Sequence, residues 1–139
     1  MHTENLHITL AFLGQVDAAR LDEIAAAARS VQARQFILRV DQPGYWKHNR
    51  IAWLGASHVP AELEAMVAEL RSALEASRIP FDPKPFVAHV TLLRNARPPS
   101  DEWPALAAVH WPVSGFSLVS SERDENGTHY RVAWRSADA

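Results

Sequence analysis

Hydrophobic and polar positions along the chain fall into two periods, one of two residues and one near 3.6. Asn5–Leu13 is an apolar, β-branched run that predicts a strand, closed by Gly14. Asp17 then stands as the cap of a helix over Ala18–Gln32, where Leu21, Ile24, Ala28 and Val31 recur at helical spacing. Gln35–Val40 alternates and predicts a strand, Gln42-Pro43-Gly44 reads as a break, and Arg50–Gly55 as a further strand. Pro60 opens a long helix to about Ser77, with Leu63, Met66, Val67, Leu70 and Leu74 on one face. Phe81-Asp82-Pro83-Lys84-Pro85 is a rigid lead-in to a second apolar strand, Phe86–Leu93, and Pro98-Pro99-Ser100 starts an irregular segment. Gly115–Glu122 and Thr128–Arg135 read as a hairpin across Asp124-Glu125-Asn126-Gly127, where Asn-Gly is a strong turn signal. This order of elements predicts an α+β fold, mostly antiparallel.

Two of the predicted strands carry the same motif. His7-Ile8-Thr9-Leu10 and His89-Val90-Thr91-Leu92 both read His, β-branched residue, Thr, Leu. In a strand, residues i and i+2 share a face, so each copy sets an imidazole beside a hydroxyl while its apolar neighbours face the core. A single copy would read as a half-buried histidine bonded to backbone. Two copies, each embedded in an apolar run, suit acid–base chemistry on a phosphodiester. Halves that each begin with the motif suggest an internal duplication, which rests on the motifs alone.

Composition narrows the setting. The chain has 139 residues, 47% hydrophobic and 22% charged, which predicts one domain or two small lobes sharing a cleft. It has no cysteine, which excludes disulfides and thiolate chemistry and is compatible with a cytoplasmic home. No apolar run reaches the length of a membrane span, and no signal-peptide pattern opens the chain. A zinc site needs three or four donors, and the sequence offers neither a His-x-x-x-His nor a cysteine pair, so no metal is expected. The formal net charge is −2, so contact with a nucleic acid would need a local basic patch. Lys47, His48 and Arg50 beside Tyr45 and Trp46 form such a cluster, by phosphate contact and base stacking, with a plain surface loop as the alternative. Phe12 reads as a core residue or as lining for a base pocket, and His2, His58, His110 and His129 as surface residues.

The flanks of the two motifs make them recognisable. Asn5–Gly14 and Phe86–Arg94 resemble the two signature segments of the 2H phosphoesterase superfamily, and within it the bacterial RNA 2′,3′-cyclic phosphodiesterases, also called 2′-5′ RNA ligases. Trp53-Leu54-Gly55 and the Gly127…Tyr130 hairpin are similar to that family as well. The resemblance implies a bilobal, pseudo-twofold fold with the two histidine strands flanking a central cleft. It also implies metal-free opening of an RNA 2′,3′-cyclic phosphate to a 2′-phosphate, with no cofactor, and possible reverse 2′-5′ joining without ATP.

Carried onto these residues, the resemblance makes His7 the acid at the leaving 3′ oxygen and His89 the base. Thr9 and Thr91 would donate to the non-bridging oxygens, and Arg94 would bind phosphate. Simple alternation turns Arg94 away from His89 and Thr91 unless the strand bulges. The family usually begins with a strand and helix ahead of the first histidine segment, whereas Met1 here stands close before His7. The expectation is therefore a fold without those elements, with an open sheet edge through which the chain could dimerise. Pro often precedes the second histidine in the family, and Ala88 stands here. Two other functions fit the same residues: a phosphodiesterase of a small cyclic phosphate or nucleotide, and a nucleotide-binding module that does not turn over.

Overall fold

The computed structural model describes residues 2–98 and 106–136. Along the chain these form a turn of 3-10 helix at Thr3–Asn5, a second at Ala18–Arg20 that runs into α1 (Leu21–Arg29), then β1 (Phe36–Val40), β2 (Gln42–Trp46), β3 (Ile51–Gly55), α2 (Ala61–Ala76), β4 (His89–Leu93), β5 (Val109–Val113), β6 (Ser117–Asp124) and β7 (Gly127–Arg135). All strand pairings are antiparallel: β1 with β5, β2–β3–β4 as a three-stranded sheet, and β6 with β7. No helix among the described residues is long and apolar enough to cross a membrane.

α2 is the spine of the core. Its first turns put Leu63, Met66 and Val67 against Leu38 and Val40 of β1, with Ala88, Leu54 and Ile8. Its last turns put Leu70 and Leu74 against Ile24, Ala27 and Val31 on or just past α1, with Ile79. Leu10 and Phe116 touch both clusters. Glu62 and Glu64 favour the helix start electrostatically. The helix ends in a Schellman turn: Arg78 takes φ +56°, its N–H bonds Glu75 O at 3.0 Å, and Ile79 N–H bonds Leu74 O at 2.9 Å.

Five expectations need correction. The run Asn5–Leu13 forms no ladder. It starts in the 3-10 turn and bends at Leu10, so Ile8 and Leu10 face the core before the bend and Ala11 and Leu13 after it. That change of parity turns Phe12 outward at 63% exposure, so it is not part of the core. Gln42-Pro43-Gly44 is not a break but part of β2, whose edge position tolerates a proline that cannot donate to a ladder. β5 falls in the stretch read as irregular; Pro112 cannot donate to a ladder, and the strand lies at an edge, opposite β1. The first helix is shorter than its periodicity suggests, ending at Arg29 rather than Gln32. Of the irregular segment expected from Pro98 onward, residues 99–105 lie outside the described residues.

Candidate active site

The second motif sits on the open face of the three-stranded sheet. The register pairs Gly44 with Trp53, Trp53 with Thr91, and Gly55 with His89. By strand alternation Gly44, Trp46, Trp53, Gly55, His89 and Thr91 therefore share one face. Val90 and Leu54 point the other way, Val90 buried and Leu54 packed against the α2 cluster. The ladder slips by one residue at Leu92, since Thr91 opposes Trp53 but Leu93 opposes Ala52. This is the bulge on which the direction of Arg94 depends, and alternation no longer turns Arg94 away. Arg94 is exposed and has no ion-pair partner among the described residues.

Two glycines make room for the ring at the centre of this face. A Cβ on Gly44 would lie 2.1 Å from the Trp53 indole, and one on Gly55 2.7 Å from it. The indole therefore lies flat across both positions. Trp46 packs on it at 5.1 Å between ring centroids and reaches back to His89 at 4.7 Å, edge to face at 70°. Trp53 itself is 6.4 Å from His89. The buried Trp53 Nε1–H has no acceptor among the described residues, so packing alone holds the ring.

The first motif is held by different elements. His7 meets Tyr130 of β7 at 4.9 Å, rings at 62°. Asn5, buried though polar, donates from Nδ2 to Thr128 O at 2.8 Å and so ties the β6–β7 hairpin to the histidine segment. Gly127, at φ +110°, follows the two turn residues Glu125 and Asn126 and lets the hairpin close.

Both imidazoles are anchored through Nδ1. His7 Nδ1 lies 2.6 Å from Asn5 O, and His89 Nδ1 2.8 Å from Val87 O. A carbonyl oxygen only accepts, so each Nδ1 carries the proton and each Nε2 is the atom that gains or loses one. Among the described residues neither the Thr9 nor the Thr91 hydroxyl has a hydrogen-bond partner. No group of three His, Cys, Asp or Glu side chains that could hold a metal occurs there either.

Of the residues singled out from the sequence, Trp46 and His89 come together, while Lys47 and His48 form the turn after β2, with His48 6.3 Å from Trp46. Tyr130, Trp53, Gly44 and Gly55 were not singled out as site residues. Their part depends on strand register, which no local pattern reports.

The family model described as the 2′-5′ RNA ligase superfamily matches residues 2–125. An RNA 2′,3′-cyclic phosphodiesterase of Escherichia coli K12 is 33% identical over 133 residues, which cover 91% of this chain and 72% of that protein. A Thermus thermophilus protein of the same name is 34% identical over 136 residues, covering 91% and 69%. The crystal structure of E. coli LigT complexed with 3′-AMP superposes with a TM-score of 0.88 at 32% identity, covering 97% of this chain and 78% of that one. The arrangement of antiparallel sheets and few helices is thus the 2H phosphoesterase fold. The chain belongs to the 2′-5′ RNA ligase superfamily.

Proposed function

We propose that this chain hydrolyses RNA ends bearing a 2′,3′-cyclic phosphate to a 2′-phosphate, without a metal or a cofactor. The observation that carries this reading is the matched anchoring of the two imidazoles, each with Nδ1 on a carbonyl and Nε2 free to exchange a proton. Relatives named RNA 2′,3′-cyclic phosphodiesterase support it. In this reading the chain is one domain of two lobes around a central cleft, and it works where RNA is processed, in the cytoplasm.

Neutral His89 takes a proton from water through Nε2 as the water oxygen bonds to phosphorus. The bond from phosphorus to the 3′ oxygen breaks, and protonated His7 gives its Nε2 proton to that oxygen. Thr9 and Thr91 donate to the non-bridging oxygens, where charge builds in the transition state. Arg94 adds positive charge on the phosphate. The spent pair resets by proton exchange with solvent. With the 5′-hydroxyl of a second RNA end in place of water, the same steps join it to the cyclic phosphate through a 2′-5′ bond and leave the 3′-hydroxyl.

Incubation in EDTA with a short RNA ending in a 2′,3′-cyclic phosphate, beside the His7→Ala/His89→Ala variant, tests the reading. The wild type is expected to yield the 2′-phosphate and the variant none. A wild type that binds the RNA without converting it would sink the enzyme reading in favour of a binding module.

A further inference from the structure

The strands of the three-stranded sheet carry no carboxylate, and Asp41 stands just before β2, at the end away from the β2–β3 turn. No Asp or Glu occurs between Asp41 and Glu62, or between Asp82 and Asp101. Within those two stretches lie Lys47 and Arg50 on the turn joining β2 to β3, and Arg94 and Arg97 just past β4. The fold brings the two groups together at one end of the sheet: Ala96 N–H bonds Arg50 O at 2.9 Å, and Tyr45 Oη–H bonds Ala96 O at 2.9 Å. All four cations are exposed, and none has an ion-pair partner among the described residues. Of the other cations, Arg20, Arg34, Arg39, Lys84 and Arg131 each sit within 4 Å of a carboxylate, while Arg29, Arg71, Arg78, Arg123 and Arg135, also without an ion pair among the described residues, stand on or beside α1, α2, β6 and β7. Four cations with no ion-pair partner among the described residues thus meet at one end of the sheet in a chain of net charge −2.

That place is continuous with the candidate active site. Arg94, just past the end of β4, lies about 16 Å along the strand direction from His89 at a strand's rise per residue. Trp46 spans the gap, with one ring contact to His89 and another to His48 in the turn. We propose that Lys47, Arg50 and Arg97, with Arg94 at their inner edge, form a binding track for the backbone phosphates of single-stranded RNA upstream of the reacting end. The aromatic next to the cations favours a nucleic-acid strand over other polyanions, since bases stack where phosphates pair. The track deepens the function proposed above and rests on it for the identity of the reacting end. It makes an RNA strand, rather than a free mononucleotide, the preferred substrate.

Binding and turnover test it separately. A fluorescein-labelled RNA octamer ending in a 2′-phosphate is titrated by anisotropy at several salt concentrations, against wild type and a Lys47→Gln/Arg50→Gln/Arg97→Gln variant. With Lys47, Arg50 and Arg97 on the backbone and Arg94 on the terminal phosphate, the slope of log affinity against log salt approaches roughly −3, and removing the three backbone charges makes it shallower by about 2. Equal affinities and slopes in the two proteins would overturn the track, whether or not either one turns over. Hydrolysis of 2′,3′-cyclic AMP is then compared with that of the octamer bearing a cyclic end. Wild type is expected to show a KM at least 10-fold lower for the octamer, and the variant to lose that advantage with hydrolysis of the mononucleotide unchanged. An equal loss on both substrates would assign these cations to the reacting phosphate and overturn the proposal. Circular dichroism confirms that the variant is folded.

Discussion

His7 and His89 are held alike: each donates from Nδ1 to the carbonyl two residues before it, Asn5 O at 2.6 Å and Val87 O at 2.8 Å. The contact fixes the tautomer and presents Nε2 as the reactive nitrogen in both motifs. Replacing either imidazole with alanine is expected to lower kcat by roughly 10²–10⁴. In wild type, kcat/KM should follow a bell in pH, because one Nε2 must be bare and the other protonated. Nitrogen chemical shifts of the two rings check the assignment directly: a neutral ring with its proton on Nε2 would contradict it.

The hydroxyls of Thr9 and Thr91 have no partner among the described residues and so are free to donate. Thr9→Val and Thr91→Val keep the shape and remove the donor. Each is expected to cost about 10²-fold in kcat with KM little changed, as for an oxyanion donor that acts mainly in the transition state. Steady-state kinetics on a cyclic-phosphate RNA checks this, and a rise confined to KM would show a ground-state role instead.

Gly44 and Trp53 face each other across the β2–β3 ladder with no room for a methyl group. Gly44→Ala drives the added carbon into the indole, and the ring must leave its place. The expected loss is about 1–3 kcal/mol in a urea titration, the range for overpacking. Activity should also drop in the folded fraction, because Trp46 and His89 rest on that ring.

Asp41 accepts from Ser57 twice, at Oδ1 from the backbone N–H at 2.8 Å and at Oδ2 from the hydroxyl at 2.7 Å. The hydroxyl bond, ahead of the backbone bond, holds its carboxyl below the ordinary carboxylate range, with Arg39 adding a smaller pull. The folded value is below the unfolded one. The stabilisation is therefore complete above the ordinary range and fades as pH falls through the depressed value. Ser57→Ala should lower Tm at neutral pH, with the gap from wild type closing in strong acid. A constant gap across that range would show that the effect is packing rather than charge.

Arg78 occupies the left-handed position of the Schellman turn that ends α2. A side chain there is strained, while glycine is not. The Arg20 guanidinium bonds the Arg78 carbonyl, which any residue supplies. Arg78→Gly is expected to raise stability by about 1 kcal/mol, read as a higher urea midpoint with the slope unchanged.

The two His-x-Thr-Leu motifs, the long apolar face of α2 and the turn at Glu125–Asn126 are local patterns. They can be read without a structure, because a two-residue or 3.6-residue period reports which side chains must leave water wherever the element finally packs. Even where the run around His7 forms no ladder, Ile8 and Leu10 still face the core and His7 and Thr9 do not. The bend at Leu10, the placing of Pro43 and Pro112 at sheet edges, and the slip at Leu92 were decided by tertiary structure, since each depends on which strand lies alongside. So were the contacts Tyr130 to His7 and Trp46 to His89, and the meeting of Arg50 with Arg94 and Arg97. These residues lie far apart along the chain, and only the pairing of strands and the packing of the His7 segment on the β6–β7 hairpin make them neighbours.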